Sequence, residues 1–301
     1  TTLFRSRIDD AVGRYIEFVK ASFPKGMRLD GLKIVCDCAN GATYKVGPFT
    51  LSELGATVIP ISNAPNGRNI NHNCGSVHPE DMRAAVIKER ADLGIAFDGD
   101  GDRIVMADEN GRMLDGNAIL AVLGADLLER DKLPDKTLVT TIMANTGLER
   151  ALKPFGGRVL RTKVGDRYVI EPMREHGYML GGESSGHIVM LEYNTTGDAM
   201  IAALHVLATM IRRDQPLSVL ANAYQPVPEA HAKVPVNGVW PSENALEDVR
   251  REGESEINGV GCVVIRPSGT EPVIRVMVQH ESIRKAEALA KHLAGRIAGL
   301  R

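Results

Sequence analysis

LGIAFDGDGDRIVMAD, residues 93–108, sets two apolar runs on either side of a loop that holds three aspartates. Each run has the length and composition of a buried strand rather than of a helix. Outward from this stretch, KIVCDCA (33–39) and TVIPIS (57–62) read as strands too, with helical patterns up to Leu54 and from Glu80 to Ala91. That alternation predicts a βαβ layer with a mostly parallel sheet. The pattern recurs: a helix over Gly116–Asp131, TLVTTIM, a helix over Thr146–Lys153, RVLRTKV, a helix over Arg167–His176, YMLGG, and a long helix ending near Arg213. Three prolines between Arg212 and Glu229 mark a boundary near Pro226. The remainder predicts a small α+β domain: HAKVPV, a helix from Ser242 to about Arg251, two strands around RPSGTEP, and an amphipathic helix from Ser282. The expectation is therefore two consecutive α/β sheet domains, residues 1–112 and 113–226, followed by an α+β domain over 227–301.

Composition narrows the function class. A net charge of −2 over 301 residues leaves no basic footprint for nucleic acid. The most apolar stretch, Ala199–Ile211, is interrupted by His205 and Thr209 and is too short to span a bilayer, so it predicts a core helix and no membrane partner. The opening TTLFRSRIDDAVGRY has no apolar leader. Cys36 and Cys38 have no second close pair to complete a zinc site, so the four cysteines read as reduced thiols of a cytoplasmic protein.

Three loops carry chemistry. In the first, Asp98, Asp100 and Asp102 alternate with Gly99 and Gly101 and are followed by Arg103. Three carboxylates this close repel unless a cation lies among them, and all-oxygen ligation favours Mg²⁺, Mn²⁺ or Ca²⁺ over zinc. An EF-hand calcium loop is the rival, since Glu109 falls at its twelfth position. It requires Gly where Arg103 stands and helices where the flanks read as strands. A solvated acidic turn is the bland reading. In the second loop, Glu183, Ser185 and His187 of GGESSGH alternate, which on an extended segment would place a carboxylate, a hydroxyl and an imidazole on one side to grip sugar hydroxyls. A polar hairpin turn is the alternative. In the third, Arg266, Ser268, Gly269 and Thr270, with Arg275 close behind, offer a phosphate dianion a guanidinium fork, hydroxyls and backbone N–H groups. A plain hairpin, with Glu271 salt-bridged to an arginine, is the alternative. A fourth stretch, RTKVGDR, places Lys163 at a strand end, where α/β folds bind ligands.

The order of these segments, DGDGD, KVGD, GGESSGH and RPSGTEP, resembles the α-D-phosphohexomutase family across essentially the whole chain. KVGDRYV (163–169), TTGD (195–198) and RPSGTEPVIRVMV look like the branch acting on glucosamine phosphates, with phosphomannomutases and phosphoglucomutases, or a non-catalytic phosphosugar-binding fragment, as alternatives. The resemblance implies that Asp98, Asp100 and Asp102 hold Mg²⁺ and that Glu183, Ser185 and His187 contact the sugar. It implies that Arg266, Ser268, Gly269, Thr270 and Arg275 hold the phosphate that is not transferred, and that Arg103, Lys163 and His187 belong to the catalytic centre. The implied reaction is an isomerisation through a phosphoserine enzyme and a bisphosphate, serving amino-sugar and peptidoglycan precursor synthesis. The family's serine-centred motif, carried in a first domain, is not found in these residues. The chain is therefore expected to need that domain as a partner and to be inactive alone; homodimerisation is left open.

Overall fold

The computed structural model describes residues 10–236, 238, 240–259, 261–268 and 271–300. The chain divides into two compact units, the first comprising residues 1–144 and 151–224 and the second residues 145–150 and 225–301. The first unit opens with α1 (Ala11–Ser22), a helix absent from the sequence expectation. It continues through β1 (Lys33–Asp37), α2 (Thr43–Glu53), β2 (Thr57–Ile61), α3 (Glu80–Glu89), β3 (Leu93–Phe97), β4 (Ile104–Asp108) and β5 (Met113–Leu114). The strands form one sheet in the order β2-β1-β3-β4-β5.

Only half of that sheet is parallel. β1 pairs in parallel with β2 and β3, but β3–β4 and β4–β5 are antiparallel. The expectation of a mostly parallel sheet fails at β4 because a parallel return needs a crossover of a dozen or more residues and only Asp98–Arg103 separate the two strands. They close a hairpin, and the three aspartates lie in its turn. α3 covers one face of this sheet, burying Met82 and Val86 against Val35, Ala96 and Ala107.

Then follow α4 (Gly116–Glu129), β6 (Thr137–Thr141), α5 (Gly147–Leu152), β7 (Arg158–Thr162), α6 (Asp166–His176), β8 (Leu180–Gly182), β9 (Ile188–Met190), α7 (Ala199–Arg213) and α8 (Leu217–Ala221). This second sheet has the order β7-β6-β8-β9, with β9 antiparallel. α6 buries Val169 and Met173 against Val139 and Val189. Asp198 caps α7 by accepting a hydrogen bond from the Ile201 N–H at 3.1 Å. Every residue of α7 from Ala199 to Met210 is buried, as its apolar run requires. Among the described residues no helix is long and apolar enough to cross a membrane.

The second unit contains residues 147–150 of α5 together with β10 (Glu229–Pro235), α9 (Glu243–Ile257), β11 (Gly261–Pro267), β12 (Val273–His280) and α10 (Ile283–Ala298). Its three strands form an antiparallel sheet in the order β10-β12-β11. α10 buries Ala286, Leu289, Ala290, Leu293 and Ile297, the stripe its sequence spacing predicts. Cys36, Cys38 and Cys74 are buried thiols, and Cys262 is half-buried.

One buried group on α7 makes stability depend on pH. His205 is 7% exposed, with its ring 4.6 Å from that of Tyr193. Burial, together with the Arg212 and Arg130 charges, pulls its pKa down to about 4. In the unfolded chain the imidazole titrates near 6.5. Because the folded pKa is the lower one, stability is present above about pH 6.5 and is lost as pH falls from there toward 4. Urea unfolding should show a loss of about 2 kcal/mol from this residue between about pH 7.5 and pH 5. His205→Gln should flatten that slope; an unchanged slope would remove His205 as its source.

Candidate functional site

The turn between β3 and β4 is organised by its first aspartate. Asp98 Oδ1 accepts hydrogen bonds from the backbone N–H groups of Gly101 and Arg103, each at 3.1 Å, and Gly101 takes φ +80° to close the turn. One carboxylate oxygen from each of Asp98, Asp100 and Asp102 lies within 4.8 Å of the others, a donor set suited to a hard divalent cation. Burial, with the neighbouring Asp102 and Asp100 carboxyls, pushes the Asp98 carboxyl up to about 7 against the opposing pull of the Arg103 N–H. A carboxyl so strained in its ionised form is what a bound cation would relieve. Arg103 stands at the rim, its Nε 4.0 Å from Asp98 and 3.9 Å from Asp102, with half its side chain in solvent.

Neighbouring elements hold the turn in place. The Ala42 N–H, at the start of α2, donates to Gly99 O at 2.8 Å, and the Ala199 N–H, at the start of α7, donates to Gly101 O at 3.1 Å. An open cavity of about 560 Å³ adjoins the turn, lined among others by Tyr15, Thr43, Asp100, Asp102 and Asp198. Tyr15 donates to Asp198 Oδ1 at 2.9 Å. Sequence reasoning missed Tyr15, because α1 carries no signature beyond ordinary helical periodicity; Asp198 entered it only as the last residue of TTGD.

Gly181 and Gly182 of the GGESSGH segment end β8, and residues 183–187 are not extended. They are the turn of the β8–β9 hairpin, closed by Glu183 N–H to His187 O at 2.9 Å and Gly186 N–H to Glu183 O at 3.0 Å. The alternation expected to put Glu183, Ser185 and His187 on one side is thereby broken. Ser185 Oγ donates to Glu183 Oε2 at 3.4 Å, and Glu183 Oε1 accepts the Gly165 N–H at 3.0 Å. Glu183 and Ser185 thus sit beside the loop carrying the exposed Lys163. His187 goes elsewhere: it is buried, with Nδ1 3.0 Å from Asp102 Oδ2. The turns after β3 and β8 are themselves joined, since Ile104 N–H donates to Gly186 O at 3.1 Å and Arg103 and His187 form an isolated antiparallel bridge.

In the second unit, strand register builds a row of cations. Lys233 is paired with Arg275, and Arg275 with Arg266, so the three side chains project from the same face of adjacent strands. Like charges directly opposite one another destabilise a sheet unless an anion bridges them. Glu271 supplies one here, 3.3 Å from Lys233 Nζ and 2.7 Å from Arg275. These two cations hold its carboxyl below the usual carboxylate range. Ser268 begins the turn, its N–H donating to Val273 O at 2.9 Å. Gly269 and Thr270 lie outside the described residues. Lys233 was invisible in the sequence, because only the register of β10 on β12 brings it beside the arginines.

The fold and these loops define a multidomain α/β protein with a turn of three clustered aspartates in its first unit and a cationic sheet face in its second. Family models for the phosphoglucomutase/phosphomannomutase α/β/α domain II match residues 13–111, those for domain III residues 115–227, and those for the C-terminal domain residues 220–296. The phosphoglucosamine mutase of Anaeromyxobacter dehalogenans is 50% identical over 293 residues, covering 97% of this chain and 64% of that protein. The Rhodospirillum centenum phosphoglucosamine mutase is 51% identical, over 92% of this chain and 59% of its own length. The chain thus spans about 60% of the curated relatives it matches. Among solved structures, a phosphoglucomutase/phosphomannomutase family protein from Burkholderia thailandensis superposes with a TM-score of 0.78 at 21% identity, over 96% of this chain and 65% of that one. Aspergillus fumigatus N-acetylphosphoglucosamine mutase, in complex with GlcNAc-6P and magnesium, gives 0.75 at 22%, over 94% and 69%. The chain belongs to the phosphoglucomutase/phosphomannomutase family, the α-D-phosphohexomutases.

Proposed function

We propose that this chain supplies the metal-, sugar- and phosphate-binding parts of a cytoplasmic phosphoglucosamine mutase, an isomerase that interconverts glucosamine 6-phosphate and glucosamine 1-phosphate. The observation that carries the reading is the half-identity to phosphoglucosamine mutases over 97% of the chain. In this reading residues 1–112, 113–226 and 227–301 are three domains, and the product feeds amino-sugar and peptidoglycan precursor synthesis.

Asp98, Asp100 and Asp102 would hold Mg²⁺, which when bound neutralises charge on the phosphoryl group in flight. Arg103, at the rim of the turn, adds a further positive charge there. Glu183 and Ser185 offer an acceptor and a hydroxyl to the sugar, and Lys163 lies on the loop that the Glu183 carboxylate holds. Arg266, Arg275 and Lys233, with Ser268, Gly269 and Thr270, hold the phosphate that is not being transferred. That phosphate must displace Glu271 from the cations. A clamp of generic cations serves a reaction in which either end of a bisphosphate has to be accepted. The phosphoryl donor in this reading is a serine outside these 301 residues.

The test is binding and turnover by the purified chain. With Mg²⁺ and a glucose 1,6-bisphosphate primer, glucosamine 6-phosphate should bind more tightly than mannose or glucose 6-phosphate, and a coupled assay should register no glucosamine 1-phosphate. Preference for mannose 6-phosphate would shift the reading to another branch of the family, and failure to bind any of the three would end it. Robust turnover would require a phosphoryl acceptor among these residues.

Arg266→Ala should weaken phosphosugar binding roughly 10- to 100-fold, the worth of lost charge-assisted hydrogen bonds to a dianion. In the complete enzyme this should raise KM more than it lowers kcat, because a fixed phosphate is gripped equally in ground and transition states. A collapsed kcat with unchanged KM would place Arg266 on the transferring phosphate instead.

A further inference from the structure

We propose that His187 is a positioning residue for the metal turn: its imidazole fixes Asp102 through Nδ1–H and does not reach the sugar. This rests on the cation reading of the aspartate turn and is independent of which hexose phosphate the family member takes.

Both ring nitrogens face the protein. The residue is 6% exposed, Nδ1 lies 3.0 Å from Asp102 Oδ2, and Nε2 is buried with no hydrogen-bond partner among the described residues. Gly197, just before α7, closes the Nε2 side. A methyl group on its Cα would come within 2.4 Å of Cε1 and 2.5 Å of Nε2, so only glycine permits this approach. Main-chain bonds hold the ring from behind, since the His187 carbonyl accepts the Glu183 N–H and its backbone bridges Arg103.

The tautomer follows from the partners. A carboxylate acceptor takes its hydrogen bond from Nδ1–H, so Nδ1 is the donor in this pair. Asp102 occupies the last ligand position of the turn and is part-exposed, free to swing unless something holds it. A hydrogen bond to one oxygen removes that freedom before the cation arrives. Outer-shell bonds of this kind commonly contribute 10- to 100-fold to metal affinity. His187 also ties the cation turn of the first sheet to the β8–β9 hairpin that carries Glu183 and Ser185, so occupancy of one turn orders the other.

The experiment measures Mg²⁺ affinity by calorimetry and Mn²⁺ affinity by electron paramagnetic resonance on the chain and three variants. His187→Ala should bind both ions roughly 10- to 100-fold more weakly. His187→Asn, whose amide N–H sits near the place of Nδ1, should recover most of the loss. His187→Gln, whose amide lies one bond farther out, should not. Glucosamine 6-phosphate affinity, measured at Mg²⁺ saturating for each variant, should stay within about twofold of the parent chain. Unchanged metal affinity in folded His187→Ala would overturn the proposal, as would loss of phosphosugar affinity at saturating metal, which would put the imidazole on the sugar. If His187→Ala fails to fold, the Asn and Gln variants decide alone: equal metal affinity in the two overturns the proposal. A parent chain that binds no Mg²⁺ overturns it outright. A parent chain that binds Mg²⁺ but no phosphosugar leaves His187 in place and removes the mutase reading only.

Discussion

Asp100→Asn should weaken Mg²⁺ binding by about 100-fold or more while leaving the fold intact. The choice among the three aspartates matters. Asp98 Oδ1 closes the turn by accepting two backbone N–H groups, so Asp98→Asn would mix loss of a ligand with disruption of the turn. Asp102 is engaged by His187. Asp100 is exposed at the tip, so removing its charge tests ligation with the least structural confusion. Since outer-shell partners alone are worth 10- to 100-fold, loss of a direct anionic ligand should cost at least the upper end of that range. Without metal, the substitution removes one of three mutually repelling charges, so the metal-free variant should be as thermostable as the parent or slightly more so. The gap should open on adding Mg²⁺, which stabilises the parent by mass action and the variant far less. Calorimetry and thermal melts with and without Mg²⁺ provide the check. Equal Mg²⁺ affinity in the two proteins would sink the direct-ligand role of Asp100.

Local pattern carried much of this architecture. The apolar runs LGIAF and IVMAD, the spacing of α10 and the buried run of α7 each declare themselves within a few residues, because burial on one face or on all sides imposes its own periodicity. The aspartate turn was legible as a turn between two strands, since apolar strand-like runs bound it on both sides. What sequence concealed depends on pairing. The direction of β4 was implicit in the six-residue connection, yet the regular strand-and-helix alternation suggested a parallel return. Lys233 joins Arg275 and Arg266 only through the register of three strands, which no local signal specifies. His187 left the company of Glu183 and Ser185 because a residue at positive φ, Gly186, reverses the chain between them. Both plain alternatives for the glycine-rich loops, hairpin turns with a Glu271–Arg275 salt bridge in one of them, describe the backbone correctly.

Gly186→Ala should destabilise the first unit by roughly 3–5 kcal/mol, from positive-φ strain and a backbone clash together. Gly186 has φ +91°, where an L side chain costs about 1–2 kcal/mol. A Cβ at this position would also stand 2.1 Å from Ile104 O and 2.9 Å from its carbonyl carbon. Those are main-chain atoms of β4 and cannot rotate aside, so the two turns must separate and the hydrogen bond from the Ile104 N–H to Gly186 O is lost with them. Gly177 is the control. It caps α6 at φ +70°, and a methyl group on its Cα would meet nothing within 4 Å, so Gly177→Ala isolates the conformational cost at about 1 kcal/mol. The difference between the two substitutions therefore measures how tightly the hairpin of the second sheet is pressed onto the first. The same displacement moves His187 relative to Asp102, so Gly186→Ala should also weaken Mg²⁺ binding, whereas Gly177→Ala should not. Urea unfolding of both variants, followed by Mg²⁺ calorimetry on whichever remains folded, supplies the measurement. Equal destabilisation by the two alanines would show that the turns are not in the close contact on which both the metal turn and the placement of His187 depend.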